Sequence, residues 1–205
     1  MKRKSIFIFI VFSLAMLIVP PGRFVYGFTL VLELNLTVLF GTLCDYLINK
    51  FELNRIRNII ILFVVIAFTV LFREIFILLY PEVMLVLGFV IYLIPVSFVT
   101  LYYLIDPPAK SLRENVLYNT KKTLLLSIYS LVFFLFRDIA GFGTFTFFGK
   151  NHQIYEKILF NYENFRVLTI FASVPGAFIL SAVVCLCYLV IYNKIEIVMR
   201  KEDNK

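Results

Sequence analysis

Hydrophobic residues run through this chain in six long blocks, at about 5–21, 24–48, 58–80, 82–105, 123–140 and 167–193, with short polar segments between them. A bilayer core offers the backbone no hydrogen-bond partners, so a spanning segment must be a helix of roughly 20 residues that satisfies its own N–H and C=O groups. The pattern therefore predicts an all-α integral membrane protein, a single membrane domain over 1–205 with six transmembrane helices. The connections at Pro20–Arg23 and Tyr80-Pro81-Glu82 are very short, and proline there ends one helix and turns the chain back into the next. The polar segment Asp106–Lys122 has room for a short surface helix over Ser111–Asn119. The longest connection, 141–166, opens with Gly141-Phe142-Gly143-Thr144-Phe145-Thr146-Phe147-Phe148-Gly149. That run is apolar and glycine-punctuated, which suits a re-entrant or interfacial piece packed against protein.

Charge changes the picture by giving the helices a direction. Lys2, Arg3, Lys4, Lys50, Arg55, Arg57, Lys110, Arg113, Lys121, Lys122, Lys194, Arg200, Lys201 and Lys205 all fall on one side of the predicted membrane. The opposite side has only Arg23, Lys150, Lys157 and Arg166. Basic residues near span ends are retained in the cytoplasm, so both termini are expected to be cytoplasmic. The net charge of +7 is this topology signal spread over four segments, and it does not suggest nucleic acid as a partner. A hydrophobic fraction of 61% leaves no room for a soluble catalytic module. The apolar run Ile6–Val19 after three basic residues resembles a signal peptide, but no small-x-small site follows, and an uncleaved first helix is expected. Tryptophan is absent, so any interfacial aromatic belt must come from tyrosines such as Tyr26, Tyr80, Tyr102, Tyr103 and Tyr192.

Candidate chemistry is sparse. Cys44, Cys185 and Cys187 lie in or near spans, where burial is the ordinary fate of a thiol. Cys185 and Cys187, two apart on a helix, point in nearly opposite directions and cannot share a metal. His152 is the only histidine and reads as a solvated loop residue. Ionisable groups at membrane depth are costly and are candidates for function. Arg73–Glu74 and Arg137–Asp138 lie near span ends, where they could equally anchor helices. The resemblance between the Phe-Arg-Glu-Ile and Phe-Arg-Asp-Ile segments does not fall where an inverted repeat would place it, and it reads as chance. In the second span, Glu33, Thr37, Gly41 and Cys44/Asp45 recur on one helix face, flanked by Asn35 and Thr42. This stripe fits an ion or proton path through Glu33, Thr37 and Asp45. It fits equally a packing face of small and polar residues.

Three motifs carry a resemblance. Arg137-Asp138-Ile139-Ala140-Gly141-Phe142-Gly143-Thr144-Phe145, Pro175-Gly176-Ala177-Phe178-Ile179 and Leu87-Gly88 are similar, in order and spacing, to segments of the Rnf/Nqr membrane subunits. The match covers roughly 55–193. The resemblance implies a subunit of an Rnf-type electron transport complex or of the sodium-translocating NADH:quinone oxidoreductase, in a prokaryotic inner membrane. It also implies other Rnf/Nqr-type membrane and redox subunits as partners, and a role in redox-driven ion translocation. Members of that family carry cysteines that hold a 2Fe–2S cluster between paired subunits. This chain has Ala15 and Phe98 near those positions, and neither side chain can ligate iron. It is therefore expected to bind no cofactor itself, with the cluster and flavins confined to partners, and to serve a structural or ion-path role. A stand-alone small transporter and a membrane scaffold or assembly factor are the alternatives.

Overall fold

The computed structural model describes residues 17–96, 112–160, 166–186 and Val190. Three long helices dominate it: α1 (Phe24–Lys50), α2 (Arg57–Leu79) and α5 (Leu112–Phe142). Between α2 and α5 lie α3 (Pro81–Leu87), a 3-10 turn at Gly88–Tyr92 and the single turn α4 (Leu93–Val96). After α5 come strands β1 (Thr144–Phe148) and β2 (Ile154–Ile158), a 3-10 segment at Arg166–Ala172, and α6 (Val174–Leu186). At 1.5 Å per residue α1, α2 and α5 are about 40, 34 and 46 Å long. All three are long and apolar enough to cross a membrane, and the chain is mostly helical, as expected of a membrane protein.

Several elements depart from the hydrophobic pattern. The fifth block was expected to begin near residue 123, yet α5 starts at Leu112 and absorbs the described part of the surface helix. Its first turns carry a buried polar stripe, Asn115, Asn119 and Thr123, that hydropathy does not register. The fourth block is interrupted at Gly88, whose φ of +46° ends α3 and passes the chain into the 3-10 turn. The apolar, glycine-punctuated segment after Gly141 is regular rather than irregular. It is an antiparallel hairpin pairing Thr144 with Ile158 through to Phe148 with Ile154, the one departure from an all-α fold among the described residues. Gly143, at φ +65°, terminates α5 in the left-handed conformation, and its carbonyl accepts from Leu159 N and Phe160 N to close the hairpin base.

Packing centres on α1 and α5, which run antiparallel in a constant register. Phe24 meets Asp138 at one end, Asn35 donates to Ser127 Oγ (2.6 Å) midway, and Asn119 donates to Thr42 Oγ1 (3.1 Å) at the other. Polar bridges of this kind join helices where no hydrophobic drive operates between them. Close approach also depends on Gly27, because a Cβ there would lie 2.1 Å from Phe134 Cγ. Helix α2 contributes a narrow buried stripe, Ile61, Val65, Thr69, Phe72 and Phe76, while Phe63 and Leu78 on its other faces are exposed. The core between these helices and α3 includes Leu30, Leu34, Leu87, Ile91 and Phe134.

Candidate ion site and the charged clasp above it

Arg137 and Asp138, adjacent near the end of α5, are both fully buried. No ion pair joins them; each fastens different parts of the chain. Arg137 donates through Nη1 to Leu17 O (2.8 Å) and Pro20 O (3.0 Å), through Nε to Phe171 O (3.2 Å), and through Nη2 to Ala172 O (3.1 Å). It thereby ties the segment preceding α1 to the one preceding α6. The Phe133 and Phe134 rings lie about 6 Å from its guanidinium carbon. Asp138 accepts from Phe24 N (3.1 Å), Thr144 Oγ1 (3.0 Å), Thr146 N (2.8 Å) and Thr146 Oγ1 (2.7 Å). The cap that α1 lacks locally, with Arg23 at its N-cap and no acid in its first turn, is thus supplied from α5. A carboxylate there satisfies an orphan N–H and complements the helix dipole.

The glycines around this clasp are there for space. A Cβ at Gly141 would lie 2.7 Å from Ala172 N, and one at Gly176 would lie 1.9 Å from Ile170 O. Pro175 sits in the first turn of α6, where its missing N–H costs nothing. Gly176 N donates to Ser173 Oγ (3.4 Å), a serine cap. Arg137, Asp138, Gly141, Gly143, Thr144 and Gly176 therefore converge on one structural knot. Thr146, which also accepts from Val25 N (3.4 Å), belongs to it and was not singled out from the sequence. The alternation Thr144-x-Thr146 is the signal that could have revealed a strand with one polar, inward face.

Glu33 is the opposite case. It lies nine residues into α1, about 14 Å from the helix start, and is fully buried. Neither carboxyl oxygen has a hydrogen-bond partner, nor has Thr37 Oγ1 one turn further on. Thr69 on α2 stands beside the carboxyl, and its hydroxyl donates to Val65 O (3.1 Å). The α1–α5 register sets Tyr129 and Ser130 at the depth of Glu33, and their hydroxyls are also buried without partners. The middle of the bundle thus concentrates unsatisfied polar atoms from α1 and α5. An ionised carboxylate left unpaired in such a place costs several kcal/mol, so a proton or a cation must accompany it.

The third expected member of the path does not join this group. Asp45 pairs with Arg57 Nε at the opposite end of α1, where the two close the turn between α1 and α2. Twelve residues of helix, about 18 Å, separate it from Glu33. Arg73 and Glu74 are bonded to each other on the exposed face of α2, an anchor at a helix end. His152 is exposed in the hairpin loop, with Nδ1 donating to Leu79 O. Cys44 and Cys185 are free thiols. No cluster of three or more His, Cys, Asp or Glu side chains able to hold a metal occurs among the described residues. Ala15 and Phe98 lie outside those residues. No protein-family model matches the chain, and no curated protein matches it.

Proposed function

We propose that this chain is a membrane-embedded subunit that carries a proton or small cation at Glu33, within an ion-translocating electron transport complex of Rnf/Nqr type. The observation that carries the reading is the Glu33 carboxyl, fully buried at mid-depth with both oxygens unpartnered. Carboxylates so placed are costly unless they bind and release a charge. In this reading the chain crosses a prokaryotic inner membrane six times with both termini in the cytoplasm, which the distribution of Lys and Arg supports. The assembly part rests on the three sequence motifs; the charged pair and the glycines of the Arg137–Phe145 and Pro175–Ile179 motifs lie in the clasp. Electrons then pass through partner subunits, and this chain contributes ion binding and packing.

Two measurements test it. With Glu33→Gln introduced into the chain in its native membranes, the complex should assemble normally while vesicles lose redox-driven ion uptake; unchanged uptake would sink the role given to Glu33. Purification in mild detergent should bring flavin- and iron–sulfur-bearing subunits in stoichiometric amounts. Recovery of the chain alone would remove the electron transport role and leave a stand-alone transporter.

A further inference from the structure

The hairpin lies across one end of the helix bundle. Its base is bonded to Gly143 at the end of α5, and its loop reaches Leu79 at the end of α2 through His152. Between these points Phe148 packs on Tyr80 (centroids 4.4 Å apart) and on Phe28 of α1 (5.8 Å). The strands thus cross the ends of all three long helices. Their two edges differ, and the alternation of the ladder shows how. Leu159 N donates to Gly143 O (2.8 Å) and Gly149 N to Gln153 O (2.9 Å), so 143–159 and 149–153 are hydrogen-bonded pairs. Alternation in an antiparallel ladder makes 145–157 and 147–155 bonded pairs as well. Residues 144, 146 and 148 of β1, and 154, 156 and 158 of β2, therefore turn their N–H and C=O groups outward. On β1 that edge meets protein, where Asp138 accepts from Thr146 N (2.8 Å). On β2 Glu82 accepts from Ile154 N (3.2 Å), and beyond it the edge at Glu156 and Ile158 points away from β1.

The same stretch of chain is apolar where it is exposed. Tyr155 (56% exposed), Ile158 (73%) and Phe160 (59%) flank Lys157, which is exposed as well. The bonds from His152 to Leu79 and from Ile154 to Glu82 set this patch beside the last turn of α2 and the first of α3. Those turns expose Leu78 and Leu85, so the patch continues the apolar flank of the helices. Hydrocarbon offers nothing to an open ladder edge, and β2 cannot sit in a bilayer core. Three large apolar side chains so close together are equally misplaced in bulk water. The boundary between the two meets both demands, with acyl chains against the apolar side chains and water and headgroups against the edge. Tyrosine and lysine suit that depth, the one a ring with a polar tip, the other an apolar stem with a charged end.

We propose that the β2 side of the hairpin is an interfacial anchor. It is seated on phospholipid at headgroup level, with Ile158 and Phe160 against the acyl chains and the open edge toward headgroups and water. This rests on the reading of the chain as membrane-spanning, and it is independent of the role given to Glu33. The anchor fixes where the ends of α1, α2 and α5 stand relative to the membrane surface, because the hairpin is bonded to all three.

The chain has no tryptophan, so a single one introduced by substitution reports its own depth. Ile158→Trp is made in the full chain and reconstituted in phosphatidylcholine vesicles, with Leu78→Trp on α2 as the reference. Tyr155→Trp takes the place of Ile158→Trp if that variant does not fold. Fluorescence is read against lipids brominated near the ester end or near the methyl end of the acyl chains, and against aqueous iodide. The hairpin tryptophan should lose most fluorescence to the ester-end bromines and less to the methyl-end ones, with emission to the blue of tryptophan in water. Quenching by iodide and by neither lipid would put the hairpin in water and overturn the anchor. Strongest quenching by the methyl-end bromines would put it in the core and overturn the anchor as well. Protection from all three quenchers would do the same, because a second copy or another protein then covers the patch. In each of these cases a lipid-quenched Leu78→Trp leaves the membrane-spanning reading standing. A Leu78→Trp that escapes both brominated lipids overturns that reading and the anchor with it.

Discussion

The clasp at Arg137–Asp138 and the carboxyl at Glu33 are both buried ionic sites, about 14 Å apart along the helix axis, and they are built on opposite principles. At the clasp every hydrogen-bonding atom of both charged side chains has a protein partner or lies against aromatic rings, and the groups contacted are mostly main chain. At Glu33 neither carboxyl oxygen has a hydrogen-bond partner, and the Thr37, Tyr129 and Ser130 hydroxyls are themselves without partners. A satisfied buried charge holds a unique arrangement and is strongly destabilising to break. An unsatisfied one contributes nothing to folding and is retained only where something else, a proton or an ion, completes it. The contrast separates structure from function within one helix pair.

Asp138→Ala should produce the largest loss, above about 3 kcal/mol at roughly 1–3 kcal/mol for each buried donor left unsatisfied, because it strands Phe24 N, Thr146 N and two hydroxyls. A fall in thermal unfolding temperature in detergent would register it, and an unchanged melt would show that the clasp holds nothing. Gly176→Ala comes next, at about 1–3 kcal/mol, since its methyl would meet the carbonyl of Ile170 rather than a movable side chain. The comparable clash at Gly27 is with Phe134, so Phe134→Leu should rescue Gly27→Ala in a double-mutant cycle, whereas no side-chain change should rescue Gly176→Ala. Asp45→Asn loses a charged hydrogen bond to Arg57 and should cost about 1.5–3 kcal/mol. The exposed pair on α2 is expected to matter little: Arg73→Gln should stay within about 0.5 kcal/mol of wild type. Glu33→Gln is the sharpest check on the comparison. Its melting temperature should equal or exceed that of wild type, because an unpaired carboxyl is replaced by a neutral group of the same shape. A drop as large as that of Asp138→Ala would make Glu33 a second structural charge and erase the distinction.

Much of the architecture was legible in the pattern of apolar residues. The second and third blocks, at 24–48 and 58–80, match α1 and α2 to within two residues. Hydropathy reports long apolar helices directly, because burying their side chains is a property of composition and length. It was silent on the hairpin, whose TFTFF strand reads as one more apolar run until a partner strand supplies its hydrogen bonds. The polar stripe Asn115, Asn119, Thr123, Ser127 and Ser130 on α5 was visible at helical spacing, and only the register with α1 gives it a meaning.

The charged residues divide along the same line. Sequence alone determined which helices are long and apolar, where Pro81 divides α2 from α3, and that Glu33 and Thr37 share a face, since each follows from local backbone geometry. Tertiary structure alone decided what each charge does. Arg137–Asp138, Asp45 and Glu33 are equally costly to bury as isolated residues. Asp138 found the uncapped start of α1 114 residues away, Asp45 found Arg57, and Glu33 found no donor. The free energy of a buried charge is set by the groups that surround it, and those groups come together only when distant segments pack.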